Sequence, residues 1–407
     1  MNRVVITGMG IYSCIGKNQE EVRQSLYRGA SGIGLDPARK EYGYRSALTG
    51  ILERPDIKGL LDRKKRMGLS EQGQYAYVAT LEAFREAGID EAYLQENEVG
   101  ILYGNDSSAE PVIHAVDIIR EKRNTALVGS GSIFQSMNST VTMNLSVIFK
   151  LRGLSFTVSG ACASGSHAIG MGYFLIRSGM QECMVCGGAQ EVNMYSVGSF
   201  DGLSAFSLRE DEPAKASRPF DKNRDGLVPS GGAATLILES YASAKRRGAR
   251  ILGEVAGYGF SSNGDHLSVP NVDGPRRSLE MAIRDSGLGI KDIRYINAHA
   301  TSTQIGDLNE AKALLHVLGG ARPYVTSTKS MTGHEMWMAG ASEVVYSMLM
   351  MQNGFIAPHL NFEEPDEASA LLHIPVQTVE KEFDAFLSNS FGFGGTNSTL
   401  IIKKFHH

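Results

Sequence analysis

Short runs rich in aliphatic and β-branched residues alternate with helical stretches from one end of this chain to the other. The runs fall at 4–7, 100–103, 155–159, 184–187, 234–238, 251–258, 295–298, 324–327 and 399–403. Several are continuously apolar rather than alternating, the pattern of strands covered on both faces. Between them lie stretches such as 307–318, where Leu308, Ala311, Leu315 and Leu318 recur at helical spacing and Gly319 supplies the stop. A chain patterned in this way folds as α/β, with helices and sheets in layers.

The length, 407 residues, fits two packed halves of roughly 200 residues each. An internal echo points the same way. Arg85-Glu-Ala-Gly-Ile89 closes one helical stretch before the run at 100, and Arg284-Asp-Ser-Gly-Leu288 closes another before the run at 295, an offset of 199. The halves are expected at 1–248 and 249–407, with a basic junction at 243–250. No Pro-rich, Ser-rich or charge-block linker separates them, so a site between fused halves is expected.

Composition narrows the class. Apolar residues make up 42% and charged residues 21%, which is ordinary for a globular protein. Glycine is the exception, at 46 of 407 residues against a usual ~7%. With only 12 prolines and no three-residue period, collagen and low-complexity linkers are excluded, so the backbone must turn tightly or approach something closely at many points. A net charge of −4 argues against a general binder of nucleic acid or anionic membrane. No apolar run approaches the ~18–20 residues of a membrane span, and the opening Met-Asn-Arg-Val-Val-Ile-Thr lacks a signal-peptide layout. A cytoplasmic protein is expected.

The four cysteines, at 14, 162, 183 and 186, are too few for a disulfide framework. Cys183-Met-Val-Cys186 has the spacing of half a zinc site, but positions i and i+3 of a strand face opposite ways, so core packing is the reading. Gly8-Met-Gly10 followed by Gly16 lacks the spacing of a dinucleotide loop. His406 and His407 are native sequence or a tag remnant.

Four stretches carry chemistry. In Ser155-Phe-Thr-Val-Ser-Gly-Ala-Cys162-Ala-Ser-Gly-Ser-His-Ala-Ile-Gly170 an apolar run ends, small residues turn, and a helix begins. Cys162 then stands at a helix N-terminus, where free N–H groups and the macrodipole favour a thiolate; a buried structural cysteine is the alternative. In Tyr295-Ile-Asn-Ala-His299-Ala-Thr301-Ser-Thr303-Gln-Ile-Gly-Asp307, His299 stands where a strand end presents it to a cleft, or is a satisfied structural histidine. Ser327-Thr-Lys329-Ser-Met-Thr-Gly-His334 is a further polar turn. Leu387-Ser-Asn389-Ser-Phe-Gly-Phe393-Gly-Gly-Thr-Asn397 is a glycine-dense loop, either a hinged flap with exposed backbone donors or a tight hairpin. Together they suit thioester chemistry.

These stretches, with Val4-Ile-Thr-Gly-Met-Gly and Ala216-Ser-Arg-Pro-Phe-Asp-Lys-Asn-Arg-Asp-Gly226, resemble the motifs of the β-ketoacyl-acyl-carrier-protein synthases, decarboxylating condensing enzymes of the thiolase superfamily. The likeness spans nearly the whole chain and follows the elongating, Cys-His-His class. It implies a thiolase-like fold of two pseudo-repeated halves in an α-β-α-β-α arrangement, and an acyltransferase of fatty-acid or type II polyketide synthesis. Carried over by position, Cys162 is the acyl-accepting nucleophile, and its N–H with that of Phe393 forms the oxyanion hole. His299 and His334 hold the malonyl thioester carbonyl, Lys329 supports them with Glu310 as its carboxylate partner, and Thr301, Thr303, Gly392 and Gly394 meet the pantetheine arm. Phe393 is the gate.

The resemblance implies no redox cofactor and no catalytic metal; a structural monovalent cation near Asn297, Glu343, Ser388 and Asn389 is a feature of some relatives. It implies an acidic acyl carrier protein as partner, docking on Lys64, Lys65 and Arg66 with Lys122 and Arg123. It also implies a dimer through 129–151, with an identical or a homologous subunit. Two departures stand out against the housekeeping members: Glu335-Met336-Trp337-Met338 after His334, and the polar Asn105-Asp-Ser-Ser108. Both suggest a specialised chain such as a polyene or aryl-primed intermediate. A chain-length-factor-like subunit without its own chemistry lacks the cysteine, and a thiolase has a second one near its C-terminus, where this chain has Phe391-Gly-Phe-Gly-Gly395.

Overall fold

The computed structural model describes residues 1–406. His407 lies outside the described residues, while His406 comes within 3.8 Å of Asp384. Ten strands form the main sheet: β1 (Val4–Ser13), β2 (Val99–Gly104), β3 (Ser155–Val158), β4 (Cys183–Gln190), β5 (Gly232–Ser240), β6 (Gly253–Ser262), β7 (Tyr295–Asn297), β8 (Tyr324–Thr326), β9 (Ala385–Phe391) and β10 (Thr396–Lys403). Their order is β8-β7-β9-β10-β6-β1-β5-β4-β2-β3. Read outward from the centre, the second half repeats the first strand for strand. β1, β5 and β4 pair antiparallel and β4, β2 and β3 parallel; β6, β10 and β9 pair antiparallel and β9, β7 and β8 parallel. The halves join where Val4–Ile6 of β1 pairs with Gly253–Val255 of β6.

The helices repeat as well. We label α1 (Glu71–Ala87), α2 (Ala109–Lys122), α3 (Thr140–Phe149), α4 (Ser164–Arg177), α5 (Asp273–Ser286), α6 (Gln304–Leu318) and α7 (Ala339–Asn353). The echo at 85 and 284 is the shared stop of α1 and α5, since Gly88 and Gly287 follow with φ of 65° and 67°. Opposite faces of each strand feed different cores. Val4, Ile6, Leu236 and Leu238 pack inward with Ile169 of α4 and Val344 of α7, together with Leu400 and Ile402 from the other half. Ile237 and Val185 pack outward with α1 and α3, and Ile401 and Leu387 outward with α5 and α6. The layering is therefore α-β-α-β-α, its two β layers hydrogen-bonded along one seam. Cys186 joins the inner core and Cys183 the outer one.

Glycine makes the layers close. A Cβ on Gly10 of β1 would lie 1.9 Å from Ala79 O of α1, and one on Gly259 of β6 would lie 2.0 Å from Ser278 O of α5. The stretch 387–397 is a hairpin rather than a free loop, because β9 and β10 pair from Ala385–Lys403 to Phe391–Asn397 around the turn at 392–395. The repeat brings the Cys162 turn, between β3 and α4, into contact with the turn between β8 and α7.

Candidate active site

Cys162 sits in a 3-10 turn, Ala161–Ala163, that runs into α4. The turn forces Ala161 to φ +47°, a left-handed conformation that costs a non-glycine residue about 1–2 kcal/mol. Three hydrogen bonds offset that cost. Ala161 N donates to Asp106 Oδ2 at 2.9 Å, Gly160 N donates to Ser164 Oγ at 2.9 Å, and Ser164 Oγ donates to Ala161 O at 2.6 Å. Asp106 lies in the polar loop after β2 and had no expected role.

The sulfur is nearly buried, with 5% of Cys162 exposed. Burial pushes its thiol up to about 12, while Lys329 and the backbone N–H groups of Phe393 and of Cys162 itself pull it down. The thiolate expected from the helix N-terminus is therefore overridden by desolvation, and the resting group is a neutral thiol. The turns at 161–163 and 392–395 nonetheless meet in one cleft, Cys162 on one side and Phe393 on the other. Gly394 and Gly395, each at φ +77°, let the hairpin turn back to deliver the Phe393 N–H.

His299 and His334 line the same cleft as Cys162, a cavity of about 460 Å³ that also takes in Thr301, Thr303, Gly392 and Phe393. Gly394 does not line it, and its N–H donates to Leu267 O at 2.7 Å. The two imidazoles stand 5.4 Å apart, edge to face. Burial, then the positive charge of Lys329, depresses both well below the usual histidine range, so both are neutral. Met336 N donates to His334 Nδ1 at 3.3 Å, which assigns the proton of that neutral ring to Nε2. His334 Nε2 is buried without a partner, as is His299 Nδ1. An unpaired donor at the edge of a cleft is a position prepared for an acceptor.

Each histidine is held through its backbone. Glu310 of α6 accepts the N–H groups of His299 at 2.9 Å and Ala300 at 2.6 Å, and Asn389 Nδ2 at 3.0 Å. His334 N donates to Val228 O at 2.7 Å. Glu310 is not the partner of Lys329. The buried Lys329 Nζ pairs with Glu343 of α7, because both carboxylate oxygens of Glu310 are occupied by the His299 turn. Asp307 performs the matching task one turn earlier on α6, accepting from Thr301 N, Ser302 N, Thr303 N and Phe220 N at 2.8–3.3 Å. Its place in the His299 stretch was visible, but the purpose was not, because Phe220 comes from a segment 87 residues away.

The residues expected near a monovalent cation do lie together, Asn297 on β7 beside Ser388 and Asn389 on β9. Glu343 Oε2 and Ser388 Oγ are buried without partners, so oxygen donors suited to a small cation are present. One oxygen of Glu343 is already given to Lys329. On the surface, Lys64 and Lys65 are exposed and Arg66 is half-buried, on a helical turn at Arg63–Arg66. Lys122 and Arg123 are exposed at the end of α2. Among the described residues no helix is long and apolar enough to cross a membrane.

Comparison with known proteins decides the family. The model of the β-ketoacyl synthase N-terminal domain matches residues 1–244, and that of the C-terminal domain matches 252–363. This chain belongs to the β-ketoacyl synthase family. The synthase is 39% identical to 3-oxoacyl-[acyl-carrier-protein] synthase 1 of Escherichia coli K12, over 99% of each chain. It matches the crystal structure of a β-ketoacyl synthase from Burkholderia phymatum over the full length of both, with 36% identity and a TM-score of 0.93. It also matches, over both full lengths with 28% identity and a TM-score of 0.88, a structure described as a type II PKS acyl-carrier protein in complex with its ketosynthase bound to the hexaketide. The thiolase-like layering of the synthase is that of these relatives.

Proposed function

We propose that this synthase forms a carbon–carbon bond by decarboxylative Claisen condensation, between an acyl group held as a thioester on Cys162 and malonyl-acyl carrier protein. The observation that carries the reading is the convergence of Cys162, two neutral histidines and the Phe393 turn on one cleft. The Cys162 sulfur attacks the incoming acyl thioester, the N–H groups of Cys162 and Phe393 bind the oxyanion, and the pantetheine thiol leaves with the proton. Malonyl thioester then enters, and His299 and His334 donate to its carbonyl oxygen. Carbon dioxide departs, and the electron pair of the broken bond becomes an enolate stabilised by those donors. Attack on the acyl-Cys162 carbonyl forms the new bond, breaks the thioester C–S bond and releases Cys162 as a thiolate, which takes a proton from water to restore the resting thiol. Departure of carbon dioxide itself supplies the carbanion, so the cycle calls for no redox cofactor and no catalytic metal.

The partner is acyl carrier protein, docked on Lys64, Lys65 and Arg66, and the substrate a fatty-acid or type II polyketide intermediate. The edge strand β3 and the exposed Ile133, Phe134, Met137, Val147 and Phe156 support a dimer, with an identical or a homologous subunit. The same reading makes the protein cytoplasmic, a compartment that keeps all four cysteines free, as they are here. The test is condensation of acyl-pantetheine with malonyl carrier protein. The wild type should yield carrier-bound 3-oxoacyl product and Cys162→Ala none. Reversal of charge at residues 64–66 should raise the apparent KM for carrier protein, less so at high salt. Normal product formation by Cys162→Ala overturns the mechanism.

A further inference from the structure

We propose that Trp337 selects the acyl group of this synthase, bracing through Phe200 an aromatic wall near Cys162 that favours a flat, conjugated acyl chain over a flexible saturated one. The inference rests on the condensing reading above and names its substrate class. Trp337 is the only tryptophan of the chain, and 9% of it is exposed. It packs in one apolar cluster with Cys162, Val197, Phe206, Leu227 and Met336. Phe200 ties this cluster to the gate. Its ring stands 6.2 Å from that of Trp337, and lies within 13° of parallel to Phe206 and 22° of parallel to Phe393. Phe200 and Phe393 line the cavity that holds Cys162, and the rings of Trp337 and Phe206 pack against Phe200.

The indole is held so that it cannot yield to whatever chain arrives. The turn that carries it begins with Met336 at φ +45°, and the Met336 N–H bonds to His334, so one strained turn sets both the histidine tautomer and the aim of the indole. The Trp337 backbone is wedged between two elements: a Cβ on Gly188 of β4 would lie 2.8 Å from Trp337 O, and one on Gly165 of α4 would lie 3.1 Å from the same atom. At the ring, Nε1 donates to Ser107 Oγ at 3.0 Å, and Ser107 Oγ donates to the buried Glu191 at 3.4 Å. Glu191 is in turn held by Ala109 N and Asn193 Nδ2. The two stretches that depart from the housekeeping pattern, 105–108 and 335–338, are therefore halves of one latch.

A wall of pinned rings discriminates by shape. A conjugated acyl chain is already flat, loses few rotamers on binding and offers a π-face to stack; a saturated chain of equal length must freeze each rotor and stacks on nothing. The test offers the enzyme 2,4,6-octatrienoyl- and octanoyl-pantetheine in equal amounts and reads the ratio of the two adducts on Cys162 by intact mass. Trp337→Leu, which keeps apolar bulk and removes the ring, should lower the trienoyl-to-octanoyl ratio about fivefold, the effect of one stacked face. Trp337→Phe should restore most of it. Ser107→Ala, which frees the indole without removing it, should lower the ratio in the same direction and serves if Trp337→Leu does not fold. A ratio unchanged in folded Trp337→Leu and in Ser107→Ala, or one that falls equally in Trp337→Phe, overturns the role of Trp337. Adducts of neither chain on wild-type Cys162 would instead overturn the condensing reading beneath it.

Discussion

Replacing Glu335 by glutamine should stabilise the protein at alkaline pH and leave it unchanged in acid. Glu335 follows His334 directly and is 1% exposed. Burial pushes its carboxyl up to about 7 from 4.5, against the opposing pull of the Ser342 and Tyr346 hydroxyls and of Lys329. Because the folded pKa lies above the unfolded one, the protonated group's contribution is complete below the unfolded value. It is lost as pH rises through the folded value. The gap between 4.5 and about 7 corresponds to about 3 kcal/mol above pH 7. Glutamine copies the shape of the protonated acid and cannot ionise, and Ser342 Oγ keeps Ala339 O as an acceptor at 3.0 Å. Denaturation midpoints of the two proteins should coincide near pH 4 and separate towards pH 8.5, with the variant higher. Asp307 is also raised by burial and acts alike in both proteins, while Glu343, which the charge of Glu335 raises further, moves the difference in the same direction. Parallel pH profiles would refute the claim that a buried, protonated acid sits behind His334.

The resting thiol gives a second measurement: alkylation of Cys162 by iodoacetamide should accelerate with pH throughout the neutral and mildly alkaline range, as burial demands, and a plateau reached by pH 7 would contradict it. Lys329→Met strips Glu343 of the one cation it contacts among the described residues, and the loss of stability should be of the order of 3–5 kcal/mol, read by denaturant titration. The same variant removes the charge that depresses His299 and His334, so the acid limb of the pH–rate profile should move to higher pH. Gly10→Val would drive a side chain into Ala79 O of α1 and should abolish soluble expression, whereas Gly264→Ala, where nothing lies within 4 Å but φ is +61°, should cost about 1 kcal/mol.

The layered α/β class was legible because buried strands and amphipathic helices have different periods, and the repeat because two helix stops share one spelling at Arg85 and Arg284. The candidate site was legible where chemistry is local: a cysteine after a strand, histidines at strand ends, a glycine turn. What escaped is long-range. Lys329 pairs with Glu343, 14 positions on, rather than with Glu310. That choice depends on which oxygens the His299 turn has already taken. Asp106 steadies Ala161 from 55 positions away, and Ser107 latches Trp337 from 230 positions away. The low thiol pKa argued from the helix start failed because desolvation, invisible in a local motif, outweighs the dipole. The 387–397 stretch read as a loop because its three glycines mask a strand on either side.

The most direct measurement is a single-turnover experiment followed by intact mass. Acyl-pantetheine alone should add one acyl mass to Cys162 and stop there. Addition of malonyl carrier protein should then discharge that adduct, with carbon dioxide released and a 3-oxoacyl chain, two carbons longer, found on the carrier. An adduct on another residue, or product formed without any acyl-Cys162, would contradict the account.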